Sequence, residues 1–262
     1  MIGRALNQKT ARHLPFEAFL DLAALLGCVG VEPRNDLGRP FFDGIATARA
    51  AEMARARGLR LLGLSEVYGF NVWDAERAAQ IRALIEVAAE AAAESFSLIP
   101  CVDGRETLPL RAAMEKVAAL LDGIPTRALI EPIGFATSSL PRKAALVALI
   151  DEFGPHRFGL VHDTFQHCIA GDLGVFPAQT GMVHISGIST PGVALDAAQD
   201  ARRILVDADD RCGTLRQIGD LLSAGYTGAF SFECTASEVL ESPSLEQEIR
   251  SSFEFIDAAL AG

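Results

Sequence analysis

The segment LVHDTFQHCIAGD, residues 160 to 172, places His162, Asp163 and His167 within six positions, directly after an apolar run. Three further apolar runs each enclose one ionisable side chain: Glu131 in LIEPI, His184 in MVHIS and Glu233 in SFECT. An acid flanked by Ile, Val or Phe is expensive to bury unless it is paired or bound to a metal. Together, Glu131, Asp163, Glu233 and His184 offer three carboxylates and one imidazole. That mainly oxygen-donor set suits one divalent metal ion: Mn2+, Mg2+, Co2+ or Zn2+. Without a cation the clustered carboxylates would repel one another and some would take up protons. Each residue alone has an ordinary reading. Asp163 is then a helix cap, His184 a packed histidine, Glu131 a strand end before Pro132, and Glu233 the partner of an arginine. Neighbours on an extended strand face opposite ways, so Asp163 is assigned to the site and His162 to packing against a helix.

Four such side chains act together only where a fold gathers them, and the rest of the sequence alternates accordingly. Strand-like runs fall at 3–10, 29–36, 59–66, 96–104, 127–135, 157–165, 180–188 and 228–235. Helical spacing falls at 16–27, 44–57, 74–95, 109–122, 140–153, 213–224 and 244–260. Asp74 is placed to cap the third helix, which Ala, Leu and Glu fill. Strands alternating with helices pair in parallel, because parallel neighbours need a crossover connection. Eight such units in 262 residues predict an α/β fold, a (β/α)8 TIM barrel forming a single domain over 1–262. A doubly wound sheet is the rival, but NQKTARHLP follows the first strand where a G-x-G-x-x-G phosphate loop belongs. TIM barrels build their sites from the C-terminal strand ends. From the second strand onward those ends carry Glu32 with Arg34, Glu66, Asp103, Glu131, Asp163, His184 and Glu233, so the last four converge on one rim.

The formal charge of −11 argues against a nucleic-acid or anionic-membrane partner, which would need Lys and Arg to dominate. The N-terminus carries no apolar leader pattern, and no apolar run reaches membrane-spanning length. Five scattered cysteines without a C-x-x-C pair suit reduced thiols, and a cytoplasmic location is expected.

At GVEPRND, IPCVDG, LIEPIGF, LVHDTFQHCIAG, VHISGI, RRILVD and FSFE the chain resembles the xylose isomerase-like TIM barrels, the sugar phosphate isomerase/epimerase superfamily. Within it, the bacterial inosose (2-keto-myo-inositol) isomerases are the nearest branch, and the resemblance spans essentially the whole chain. It implies that Glu131, Asp163, His184 and Glu233 hold the metal, and that Glu131 and Glu233 also move protons on opposite sides of the substrate. The implied reaction isomerises or epimerises a keto-sugar or inosose through a metal-stabilised enediolate, within carbohydrate metabolism such as inositol catabolism. It also implies assembly through the outer helices as a homodimer or homotetramer.

The family's D-x-x-H after the sixth strand reads D-x-x-Q here, so Gln166 stands where the family has histidine and His167 follows it. Both are assigned to the substrate. Arg203 matches a family arginine and is assigned to a substrate oxygen through its planar fork. Glu66 is placed on the same rim, and Trp73 with Phe70 on an apolar wall of the sugar pocket. No Gly-rich phosphate grip follows the last two strands, which favours an unphosphorylated polyol or keto-sugar. Three other readings share the barrel. One is a dehydratase using the same base; another is an apurinic-site endonuclease, disfavoured by only five histidines and the acidic charge. The third is a barrel that binds sugar without turning it over, which the Gln166 departure supports.

Overall fold

Apolar runs separated by helices must pair in parallel, and the computed structural model, which describes residues 1–192 and 194–261, pairs every strand that way. The strands are β1 (Gly3–Asn7), β2 (Gly30–Glu32), β3 (Arg60–Leu61), β4 (Leu64–Tyr68), β5 (Ser95–Ile99), β6 (Arg127–Ile130), β7 (Phe158–Asp163), β8 (Thr180–Ile185) and β9 (Ala229–Phe232). Their order is β3-β2-β1-β9-β8-β7-β6-β5-β4, so the two ends of the sheet are consecutive in the chain. Only Leu62 and Gly63 separate them. The third of the eight expected strands is therefore divided: β3 continues the ladder from β2, and β4 resumes it against β5. A side chain at Gly63 would approach Ser95 Oγ to 3.0 Å and Glu32 Oε2 to 3.4 Å, so the break leaves room for Glu32. The barrel is nearly closed and the chain is one TIM barrel.

Around it lie α1 (Phe16–Leu25), α2 (Thr47–Ala56), α3 (Ala75–Ala91), α4 (Leu110–Leu120), α5 (Ala144–Phe153), α6 (Thr164–Ile169), α7 (Thr214–Ser223), α8 (Ser237–Leu240) and α9 (Leu245–Ala261). Asp74 caps α3 as its position suggests, its Oδ1 accepting from Arg77 N at 2.7 Å. The short α6 and α8 lie in stretches where the periodicity shows no helix. The residues at 164 and 165, expected as the end of a strand, open α6 instead.

Alternation along the strands sorts the side chains. Ala5, Leu129, Val161, Met182 and Ala229 form a small buried cluster together with Leu62. The intervening residues, among them Leu6, Ala128, Leu160, Val183, Phe230 and Phe232, join the large core shared with the helices. Phe232 meets Phe253 of α9 with ring centroids 4.6 Å apart. A period of two then fixes what lies one step further along each strand on the inner side. Two residues beyond Leu129, Val161 and Met182 come Glu131, Asp163 and His184, and the same parity in β9 carries Ser231 to Glu233. All four face the barrel axis at its C-terminal end.

Candidate metal centre

Glu131, Asp163, His184 and Glu233 each present a donor atom, and these atoms all lie within 4.8 Å of one another. All four residues are buried. The order of the parallel sheet places them on four adjacent strands, so their gathering follows from pairing β6, β7, β8 and β9 in register.

His184 is held from behind. Its Nε2 lies 3.0 Å from Glu32 Oε2, and Glu32 stands at the end of β2 across the barrel. Its Nδ1 lies 3.3 Å from Glu233 Oε2 and 3.8 Å from Glu131 Oε2 without the alignment of a hydrogen bond, so this buried nitrogen has no hydrogen-bond partner among the described residues. A nitrogen aimed at carboxylates, with its opposite face fixed by a further carboxylate, is the arrangement of a metal-ligating histidine and its outer partner. One imidazole and three carboxylate donors fit a divalent cation, with room left for substrate or water.

The electrostatics show why a cation belongs here. Burial pushes the Glu131 carboxyl well above its ordinary range, and the neighbouring Glu233 adds to it. Burial likewise raises Asp163, against the pull of Arg203. Glu233 goes the other way: burial would raise it, but His184, Arg203 and Arg34 outweigh burial and hold it well below the usual carboxylate range. His184 is also buried, yet Glu32 and Glu233 keep it well above an ordinary imidazole. Both shifts favour protons on Glu131 and His184, which ease the repulsion among the carboxylates; a divalent cation would take over that role.

Two arginines bracket Glu233. Arg34 Nη1 donates to its Oε1 at 2.7 Å, and Arg203 Nη2 donates to its Oε2 at 2.8 Å. Arg203 Nη2 also donates to Asp163 Oδ2, while its Nε donates to Ser186 Oγ at 3.1 Å. Arg203 is 4 % exposed, so its charge is spent inside the barrel. It reaches the centre because the segment after β8 folds back in an antiparallel bridge between Gly187 and Ile204. Arg34 extends the network outward to Glu66 at 2.7 Å and to Asp36 at 2.7 Å.

Above the tetrad lies a cleft of 150 Å3, lined by Glu131, Glu233, Glu66, Gln166, Arg203 and Arg34, with Lys9, Asp200 and Thr235 on its polar rim. Its apolar side is made by Tyr68, Ile99, Val102, Ile133 and Phe135. Gln166 is fixed at both ends: its N donates to Asp163 Oδ1 at 2.7 Å and its side-chain Oε1 accepts from Gly134 N at 2.9 Å. That approach requires glycine at 134, since a Cβ there would collide with the Gln166 backbone oxygen.

Two residues assigned to the substrate lie elsewhere. His167 follows Gln166 on α6, and about 100° of helix rotation turns it away from the cleft. Its ring stacks on His162 with centroids 4.9 Å apart, and its Nδ1 meets Lys143 Nζ. His162 points outward as expected, with Lys143 Nζ 3.1 Å from Nδ1 and Gln217 Oε1 2.9 Å from Nε2. Trp73 is outside the cleft lining as well: it packs against the core, with Lys116 Nζ 5.5 Å above its ring. It immediately precedes the cap of α3, and its ring lies under Lys116 of α4 rather than on the rim. Conversely, Ile99, Ile133, Phe135 and Asp200 line the cleft without having been singled out. Only IPCVDG and LIEPIGF, the segments holding Ile99, Ile133 and Phe135 or lying beside them, offered a signal.

The sequence profile described as Xylose isomerase-like TIM barrel matches residues 20–259. Comparison with curated protein sequences gives no match. Among solved structures, a xylose isomerase domain containing protein from Salmonella typhimurium LT2 superposes with a TM-score of 0.89 at 26 % identity, over 99 % of this chain and 97 % of that one. The IolI protein with a bound zinc atom superposes with a TM-score of 0.86 at 13 % identity, over 99 % of this chain and 98 % of that one. D-psicose 3-epimerase with D-tagatose from Clostridium cellulolyticum H10 gives a TM-score of 0.69 at 12 % identity, over 99 % of both chains. At those last two identities the likeness is one of fold.

Proposed function

This chain belongs to the xylose isomerase-like TIM barrel family, and from that premise we propose that it is a divalent-metal-dependent isomerase or epimerase of a keto-sugar or inosose. One observation carries the reading: two glutamates, Glu131 and Glu233, belong to the donor cluster and also line the cleft above it. They are therefore placed to touch both cation and substrate. Asp163 and His184 complete the donor set beneath them. A divalent cation held by these four residues would polarise a substrate carbonyl and ease loss of the proton on the adjacent carbon.

The chain's own groups do the rest. One of Glu131 and Glu233 accepts the carbon-bound proton and the other returns one, each from its own side of the cleft. Arg34 and Arg203 fix the Glu233 carboxylate by both oxygens, so its orientation is set before substrate arrives. Only Nη1 of Arg203, 3.5 Å from Asp200 Oδ1, is left to meet a substrate oxygen, and Gln166 takes the place of a neutral hydrogen-bonding partner on the same wall. Ile99, Ile133 and Phe135 keep water from the apolar side. The zinc atom bound in the IolI structure supports a metal-dependent reading of this fold. The substrate is a small molecule, the protein acts in the cytoplasm, and it assembles as a homodimer or homotetramer.

Proton exchange tests this directly. Incubation with 2-keto-myo-inositol and Mn2+ in D2O is expected to give metal-dependent deuterium incorporation next to the carbonyl, abolished in Glu233→Gln. Bound metal with no exchange on this inosose or on a panel of ketoses would refute the isomerase reading.

A further inference from the structure

The catalytic cleft has a volume of 150 Å3, below the range of about 300–1,000 Å3 usual for small-molecule sites, whereas a groove beside it has 490 Å3. The two adjoin, because Glu66 and Tyr68 line both. Tyr68, at the end of β4, is the wall they share; 37 % of its surface is exposed and its phenol lies against the Val102 backbone. Beyond it the groove runs between the segment after β2 and α3.

Its carboxylates are already committed. Asp36 and Glu66 are both bound by Arg34, the arginine that also holds Glu233. They are not free to capture a cation, and they repel an anion. The floor is apolar, made by Phe41, Leu84 and Val87. Arg77 lines the groove too, its Nη1 donating to Gln80 Oε1. An apolar face edged by the side-chain amides of Asn35 and Gln80 suits a ring that presents C–H groups on one side and hydroxyl oxygens at its edge.

We propose that this groove is a second sugar subsite, and that the substrate is a keto-sugar or inosose bearing a further sugar ring or a similar uncharged polyhydroxylated group. The inference rests on the isomerase reading of the cleft. It places the reacting carbons over the tetrad and the appended ring past Tyr68, against α3.

Saturation-transfer NMR on the Mg2+-loaded protein tests it, with D-fructose, its 6-O-glucosyl derivative isomaltulose, and D-fructose 6-phosphate as probes. Isomaltulose is expected to bind about 10-fold tighter than fructose, with saturation reaching its glucosyl protons. Ala83→Trp and Gln80→Trp, which fill the groove from exposed positions of α3, are each expected to remove that advantage. Isomaltulose binding no tighter than fructose, tighter binding of the phosphate than of either, or an advantage that survives both substitutions overturns the proposal. Deuterium exchange in D2O, run on the same sugars and on 2-keto-myo-inositol, separates the two readings. No metal-dependent exchange, together with groove binding as described, would overturn the isomerase reading and leave the subsite standing.

Discussion

Glu32 Oε2 lies 3.0 Å from His184 Nε2, while Nδ1 of the same ring faces Glu131 and Glu233. The carboxylate keeps a proton on Nε2 whatever the charge of the ring, so Nδ1 is the nitrogen free to bind a metal. Glu32 is thus a positioning residue, held at the break between β3 and β4.

Replacing that carboxylate by an amide leaves the shape and removes the constraint. Glu32→Gln is expected to weaken divalent-metal affinity by about 10–100-fold with the fold retained. Competition between the protein and a chelating dye for Zn2+ measures it; unchanged affinity would mean that His184 is oriented by its packing alone.

A cation that neutralises three buried carboxylates binds only the folded chain and must stabilise it. Addition of Zn2+ or Mn2+ to chelator-treated protein is expected to raise Tm, with a gain of about 2.7 kcal/mol when metal stands at 100 times Kd. The shift should vanish in Asp163→Asn, which removes one donor. A Tm indifferent to metal in the wild-type chain would show that Arg34, Arg203 and protons already settle the charge.

Arg203 links Asp163 and Glu233 while 4 % exposed, so its removal strands two buried carboxylates. Arg203→Met is expected to destabilise metal-free protein by about 3–5 kcal/mol. A bound cation takes over much of the lost positive charge, so the loss should shrink when metal is present. Urea unfolding of both proteins, with and without metal, checks the difference; equal losses in the two conditions would uncouple Arg203 from the centre.

Much of this centre was legible because strand parity and metal chemistry coincide. Glu131, Asp163, His184 and Glu233 each end an apolar run two residues beyond a buried aliphatic or small residue, and parallel pairing turns four such ends into one rim. The break in the third strand was not legible, since the apolar pattern continues through Leu62 and Gly63 while the backbone turns. Nor was α6: six residues with a β-branched start and two aromatic rings carry no helical period, and it is Asp163, already spent as a strand end, that caps them through Gln166 N. The hydrogen bond from Arg34 to Glu233 joins residues 199 apart in sequence, and no local pattern encodes a contact of that span. Trp73 and His167 show the converse. Residue type suggested a sugar wall and a substrate contact, but Trp73 packs under Lys116 of α4 and the turn of α6 carries His167 away from the cleft.

The displaced His167 carries its own consequence for pH. Burial, with Lys143 nearby, pushes its pKa down to about 4 from an ordinary 6.5, and Asp172 and Arg216 also act on it. Lys143 itself is buried and brought down to about 7. Between pH 6.5 and 4 the unfolded chain binds a proton at His167 that the folded chain refuses, so stability falls as the solution is acidified through this window. Each pH unit there is worth at most about 1.4 kcal/mol. Raised carboxylates such as Glu131 and Asp163 act with the opposite sign, so the quantity to compare is the wild type against His167→Gln. The variant is expected to lose stability less steeply between pH 6.5 and 4 in urea unfolding series at fixed ionic strength. Parallel curves for the two proteins would mean that the His162–Lys143–His167 stack takes up the proton without cost.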